Sequence, residues 1–323
     1  MYDIFTIGGI KLDTFIVIPD ASVTCELKMP SCKLCIDYGK KNPVDEIEIQ
    51  VAGSAPNVAI GLAKMRKTSA VYSEMGKDII HTMALDFLAK HKVDSKYVKP
   101  SGKHSGFAAV LNFKGESTQL VMQNGGEYRL PTRMPQTKWI HISELGKGYE
   151  KLYRDVIELK KKRDVKISFN PGAVQIKEKK KALMDLIKIT DVLFVNKVEA
   201  IHILGEKVEV EIHNLMANLV NLGPKYAVVT DGRNGAYAYD GKQLDFAPMF
   251  PGKRVEATGA GDSFTTGFLG ALMHGRKHSE ALMWGSVNAA SVVGQVGPTK
   301  GLLSHTEIKR RLKDRPSYKT KEL

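Results

Sequence analysis

Val255-Glu256-Ala257-Thr258-Gly259-Ala260-Gly261-Asp262-Ser263-Phe264 leads straight into Thr265–Met273, a small-residue stretch with the spacing of a helix. Gly259, Ala260 and Gly261 let backbone come close to a ligand. The opening turn of a helix offers unpaired N–H groups and a positive dipole end to an anion. Asp262 sits at that same turn. A hydroxyl held between the two meets a base that takes its proton and a cradle for the phosphoryl group it attacks. The plainer alternative is a helix N-cap, where Asp is favoured in any case. Neither a Walker A loop nor GxGxxG after a strand occurs in the sequence.

Upstream of this turn, β-branched runs alternate with helical patterns. Asp3–Ile7, Ala70–Glu74, Trp139–Ser143, Val165–Phe169, Val192–Val195 and Tyr226–Thr230 read as strands, and Pro56–Met65 and Ile79–Lys90 as helices. Such alternation predicts an α/β fold with a mostly parallel, doubly wound sheet covered on both faces. Phe15–Ile18, Glu46–Val51, Ala108–Phe113 and Thr118–Gln123 break the rhythm: they alternate like antiparallel strands with no helices between them. They predict a small β-sheet lid over the carboxyl ends of the parallel strands, where ligands bind in open α/β sheets. The expected division is a core from residues 1–12, 53–105 and 125–323, with lid segments 13–52 and 106–124.

Three further segments carry polar groups at strand ends. Thr230-Asp231-Gly232-Arg233-Asn234-Gly235 closes a buried strand and precedes a hairpin through Asp240-Gly241; such a turn can hold a nucleotide by backbone contacts. Asn196 and Glu199, three apart at a strand-to-helix junction, suit the hydration shell of Mg²⁺, or equally a capped helix start. Asp13, after Gly8-Gly9, and Asn57, in Ala52-Gly53-Ser54-Ala55-Pro56-Asn57, can each bond the hydroxyls of a polyol, although a lone Asp in a turn is ordinary turn chemistry.

Taken together and in this order, these segments resemble the PfkB carbohydrate kinase family, also called ribokinase-like, from about Asp3 to Leu312. The most specific element is Thr258-Gly259-Ala260-Gly261-Asp262-Ser263-Phe264. The resemblance implies a ribokinase-like three-layer fold and Asp262 as catalytic base, with the Gly259, Ala260, Gly261 and Asp262 amides as anion hole. It implies sugar binding by Asp13, Gly53 and Asn57, and nucleotide binding by Asn196, Thr230, Gly232, Gly235 and Asn288. It further implies Glu199 on Mg²⁺ through water, and ATP as donor. The activity expected is phosphorylation of a sugar hydroxymethyl group, with a nucleoside kinase as the alternative; a ligand sensor and a basic nucleic-acid binder are rival classes. Three departures stand out. Glu256-Ala257 replaces the usual Asp-Thr, whose Asp helps hold a monovalent cation in many members. Ala52 replaces a glycine, and Lys11 stands where ribokinases tend to have Asn.

Composition narrows the rest. The 323 residues are 43% hydrophobic and 26% charged, ordinary for a globular chain, but carry a net charge of +13. Residues 147–188 hold 13 basic against 6 acidic residues, and residues 300–323 hold 8 against 3. Most of the excess therefore falls among helix-spaced apolar positions such as Leu152, Val156 and Leu159, the pattern of a solvated helix face. Nucleic acid is not an expected partner. Met1–Ile7 lacks the pattern of a secretory signal, and Ala281–Thr299 is too interrupted for a membrane span. Cys25, Cys32 and Cys35, an odd count, suggest buried thiols in a reducing cytoplasm; Cys32-Lys33-Leu34-Cys35 has the spacing of only half a zinc site. An exposed edge or face of the small sheet points to a homodimer formed through the lid.

Overall fold

A computed structural model of the chain describes residues 1–25, 32–101, 104–114, 116–122, 126–205 and 210–323. The N-terminal third holds β1 (Tyr2–Ile7), β2 (Lys11–Val17), β3 (Ser22–Cys25), β4 (Cys32–Cys35), β5 (Glu46–Ala52) and α1 (Ser54–Lys64). It continues with β6 (Ser69–Met75), α2 (Ile79–Lys90), β7 (Asp94–Pro100), β8 (Gly106–Phe113) and β9 (Glu116–Met122). Next come β10 (Thr137–Ile142), α3 (Glu150–Lys162), β11 (Lys166–Phe169), α4 (Ala173–Glu178), α5 (Lys181–Lys188), β12 (Val192–Asn196), α6 (Lys197–Leu204) and α7 (Ile212–Asn221). The remainder is β13 (Tyr226–Thr230), β14 (Ala236–Tyr239), β15 (Leu244–Ala247), α8 (Ala260–Met273), α9 (His278–Val292), α10 (His305–Lys313) and β16 (Lys321–Glu322).

Ten strands form one sheet in the order β16-β15-β14-β13-β12-β11-β10-β1-β6-β7. From β13 to β7 every ladder is parallel, while β14, β15 and β16 pair antiparallel at one edge. The period of two divides strand residues between two cores. Phe5, Ile140, Leu193 and Val229 meet α3, α5 and α7 on one face. Ile4, Trp139, Phe194 and Val228 meet α1, α8, α9 and α10 on the other. This is the three-layer, doubly wound arrangement that the alternation predicts, and the β14–β15 hairpin turns where Asp240-Gly241 places it.

The small sheet is separate, in the order β5-β2-β8-β9. Its four strands fall on the four segments read as lid strands, though Gln123 lies outside the described residues. One expectation is corrected: β2 pairs antiparallel with β5, and β8 with β9, but β2 and β8 run parallel. The chain leaves β5 through α1 and passes β6 to β7 of the large sheet before it returns as β8, so β8 arrives by a crossover rather than a hairpin.

The cysteine reading is corrected as well. Cys25 and Cys32 sit opposite each other on the exposed β3–β4 hairpin and form a disulfide, while Cys35 is an exposed free thiol. These are not buried thiols, and the argument from an odd count to a reducing compartment loses its support. Among the described residues no helix is long and apolar enough to cross a membrane, and no group of His, Cys, Asp and Glu forms a metal cage.

Candidate active site

The carboxyl ends of β1, β10, β12 and β13 open toward the N-terminus of α8, with the small sheet above. Gly259 caps α8 with φ 78° and no side-chain hydrogen bond; the Ala260 amide donates to the Ala257 carbonyl at 3.2 Å, which leaves the Gly261 and Asp262 amides for a ligand. Only glycine suits that position, because a Cβ would also strike Pro298. A Cβ on Gly261 would meet nothing within 4 Å, so open space lies before the helix.

Asp262 lies within this first turn rather than at the cap. Its Oδ2 accepts a hydrogen bond from Asn57 Nδ2 at 2.7 Å, which ties α8 to α1. Burial pushes the Asp262 carboxyl above its usual range. Hydrogen bonds from Asn57 and Ser54 pull it back, Glu144 adds to the rise, and Lys11 opposes it. Asp13, on β2, is 2% exposed and its carboxyl is pushed up to about 6, chiefly by burial. Asp13 Oδ1 and Asn57 Oδ1 are buried and have no hydrogen-bond partner. Two buried acceptors beside a carboxylate are placed for the hydroxyl donors of a small polar molecule. Gly53, with φ 131°, brings the start of α1 against the Gly9 carbonyl, where a Cβ would collide.

Two clefts lie in this region, and the α8 turn lines the larger. The smaller, about 30 Å³, is lined by Lys11, Gly53, Ser54, Tyr128 and Glu144 among others. The larger, about 420 Å³, is lined by Thr230, Gly232, Gly235, Phe250, Ala260 and Gly261 among others. Met249, Phe250, Phe264, Ala289 and Ala290 give it apolar walls, and Ala260 and Gly261 of α8 line it as well.

The structure thus gathers Asp262, Gly53, Asn57 and Asp13 on one side of the turn, and Thr230, Gly232 and Gly235 on the other. Asn196 and Glu199 form a capping box: Asn196 Oδ1 accepts from the Glu199 amide and Glu199 Oε2 from the Asn196 amide, both at 2.8 Å. Burial raises the Glu199 carboxyl, and Glu144 and Asp262 add to the rise. Asn288 is not among the residues that line the larger cleft. It is fully buried, donates to the Ser263 carbonyl at 2.7 Å and accepts from the Leu303 amide at 2.9 Å. Both ends of its amide are held by backbone, and Ser286, Ala289 and Ala290 of the same helix line the cleft instead.

Glu256 is 3% exposed and joins three segments behind the turn: Oε1 accepts from the Thr258 amide at 2.6 Å and lies 3.4 Å from Ser117 Oγ on β9, and Oε2 accepts from the Gly297 amide at 3.2 Å. The small sheet also rests on this region through Gln50 against Gly297 and an ion pair between Lys300 and Glu48.

Sequence reasoning passed over Glu144, Arg233 and Arg254, all of which line the clefts. Glu144 follows the carboxyl end of β10, and that position alone was the available signal. Arg233 stands inside the Thr230–Gly235 turn itself.

Comparison with known proteins agrees with the geometry. The model of the pfkB family carbohydrate kinases matches residues 16–305. An ATP-dependent 6-phosphofructokinase of Thermoanaerobacterium thermosaccharolyticum is 23% identical over 309 residues, 92% of this chain and 89% of that protein. The Methanocaldococcus jannaschii nucleoside kinase structure superposes with TM-score 0.76 at 22% identity, covering 97% of this chain and 99% of that one. An E. coli protein solved in complex with ATP and Mg²⁺ superposes with TM-score 0.78 at 18% identity, covering 98% and 100%.

Proposed function

The chain belongs to the pfkB family of carbohydrate kinases, and on that premise we propose that it transfers the terminal phosphoryl group of ATP to a hydroxymethyl group of a sugar. It is a phosphotransferase with an alcohol group as acceptor. The observation that carries the finer reading is the meeting, at the start of α8, of the Asp262 carboxylate, an uncapped helix N-terminus and two buried acceptors without partners.

In this reading Asp13 and Asn57 hold the sugar hydroxyls and present the hydroxymethyl oxygen to Asp262. Asp262 takes its proton as the oxygen bonds to the γ-phosphorus and the bond to the β-phosphate oxygen breaks, which releases ADP. The Gly261 and Asp262 amides and the α8 dipole stabilise charge on the transferred group without rearranging. Thr230, Gly232 and Gly235 line the nucleotide. Glu199 gives one oxygen to its own cap, which leaves the other for a metal-bound water; this suits Mg²⁺, which keeps several waters and is carried largely by nucleotide phosphates. Bound Mg²⁺ supplies neutralisation of the ATP phosphates.

A requirement for ATP supports a cytoplasmic reaction, and exposed Ile47, Ile49, Leu120 and Met122 on the small sheet support pairing of two copies through it. ADP release measured across pentoses, hexoses, sugar phosphates, sugar acids and nucleosides tests the reading. Release above the background of ATP alone is expected with at least one sugar. Background release with the whole panel overturns it, and release with nucleosides only moves the substrate class.

A further inference from the structure

Lys11 is the first residue of β2, where the small sheet leaves the core. It stands opposite Ala52 on β5 and Gly106 on β8. Residues opposite one another in a sheet share a face, as do residues two apart in a strand. Lys11 therefore projects to the same side as Asp13, and neither neighbour carries a side chain beyond Cβ to screen it. The half-buried lysine lines the smaller cleft with Ser54, Tyr128 and Glu144.

Lys11 interacts electrostatically with Asp13 on its own strand and Asp262 on α8, and shares the cleft lining with Glu144, which follows β10. Its coupling to Asp13 and Asp262 is through space, without a hydrogen bond. A lysine whose task was to neutralise Asp13 would reach it, two residues away on one face. Asp262 is held instead by Asn57 and Ser54, and Asp13 Oδ1 stays unpartnered. Among the described residues Lys11 makes no direct ion pair, and a ligand that brings an anion would give its half-buried ammonium a hydrogen-bonded partner.

We infer that Lys11 recognises an anionic substituent, a carboxylate or a phosphate, carried by the acceptor apart from the hydroxymethyl group that is phosphorylated. The inference rests on the kinase reading above and narrows its substrate class from sugars in general to sugar acids or sugar phosphates.

The test is steady-state ADP release by the full chain with acceptors of one carbon skeleton in three forms: the neutral sugar, its acid and its phosphate. The wild type is expected to favour an anionic form in kcat/KM, and the favoured arm distinguishes carboxylate from phosphate. Lys11→Met is expected to lower the anionic-to-neutral ratio of kcat/KM roughly 10- to 100-fold, mainly through KM, the usual scale for a hydrogen bond to a charged group. Lys11→Arg should restore most of the ratio. A wild type that favours neutral sugars, or a ratio unchanged in Lys11→Met, overturns the inference and leaves the kinase reading intact. If no acceptor releases ADP, the kinase reading fails. Calorimetric binding of the same three compounds then decides on Lys11 separately, since equal affinity in wild type and Lys11→Met overturns its role.

Discussion

Asp262 is under opposed influences: burial and Glu144 favour its neutral form, and Asn57, Ser54 and Lys11 favour its charged form. A base must be ionised to accept a proton, so turnover should fall as pH drops through this raised pKa, at a pH above the usual carboxylate range. Asn57→Ala removes an influence that lowers the pKa, so it should move the acid limb of the kcat profile to higher pH; an unmoved limb would contradict the pairing. Asp262→Asn should cost roughly 10²–10⁴ in kcat while ATP binding persists in calorimetry, the scale of a lost general base. Near-normal turnover in that variant would sink the assignment. Asp13 gives a different signature. Its folded pKa, about 6, lies above the ordinary value of 3.8, so ionising it costs more in the fold than in the unfolded chain. Below about 4 this penalty is absent; it grows between about 4 and 6 and is complete above 6. Asp13→Asn should therefore raise the melting temperature of the ligand-free protein at pH 7 and weaken acceptor binding, an exchange common at polar sites. An equal or lower melting temperature would argue against a destabilising Asp13. At this scale, the short motifs point to residues that the structure brings around the start of α8, whereas Asn288 lies off the cleft. Helix α9 is buried on several sides, with Ala281, Trp284, Ser286 and Asn288 all enclosed, so spacing does not reveal which face meets the cleft.

Elements were legible where burial leaves a pattern. The buried parallel strands announce themselves as β-branched runs, because both faces are covered by helices. Strand β7, Asp-Ser-Lys-Tyr-Val-Lys-Pro, does not, since it pairs only with β6 and buries Val98 alone. The β3–β4 hairpin lies in solvent and depends on its disulfide and ladder rather than on a core. The small-residue character of α8 has a packing cause beyond ligand approach: a Cβ on Gly267 would strike the Trp284 carbonyl of α9. Backbone cannot yield as a side-chain end can, so Gly267→Ala should destabilise by about 1–3 kcal/mol in denaturant unfolding. A loss below a few tenths would mean that the two helices separate freely.

For the whole molecule, charge and apolar surface point in different directions. The lysines of α3 and α5 stand outside a buried stripe of Leu152, Val156, Leu183 and Leu186, as the helix spacing implies. The apolar anomaly lies on the small sheet, where Ile47, Ile49, Leu120 and Met122 are each at least half exposed. The ladders place Ile49, Thr14, Ala109 and Leu120 in one row, on the face opposite Asp13. Single exposed apolar residues are common, but a contiguous row marks an interaction surface. Light scattering should give the mass of a dimer for the wild type and of a monomer for Ile49→Asp; a monomeric wild type would rule out pairing through this face. Partner choice was not legible from net charge, because a sum over the chain says nothing about where the sheet turns its apolar side.

Glu256 holds the Thr258 amide on one side and the Gly297 amide on the other, while Gln50 of the small sheet presses on Gly297 and Pro298 packs against Gly259. The small sheet and the N-terminus of α8 are thus parts of one contact chain. Thermodynamic reciprocity then applies: any factor by which a bound acceptor tightens the nucleotide must equal the factor by which the nucleotide tightens the acceptor.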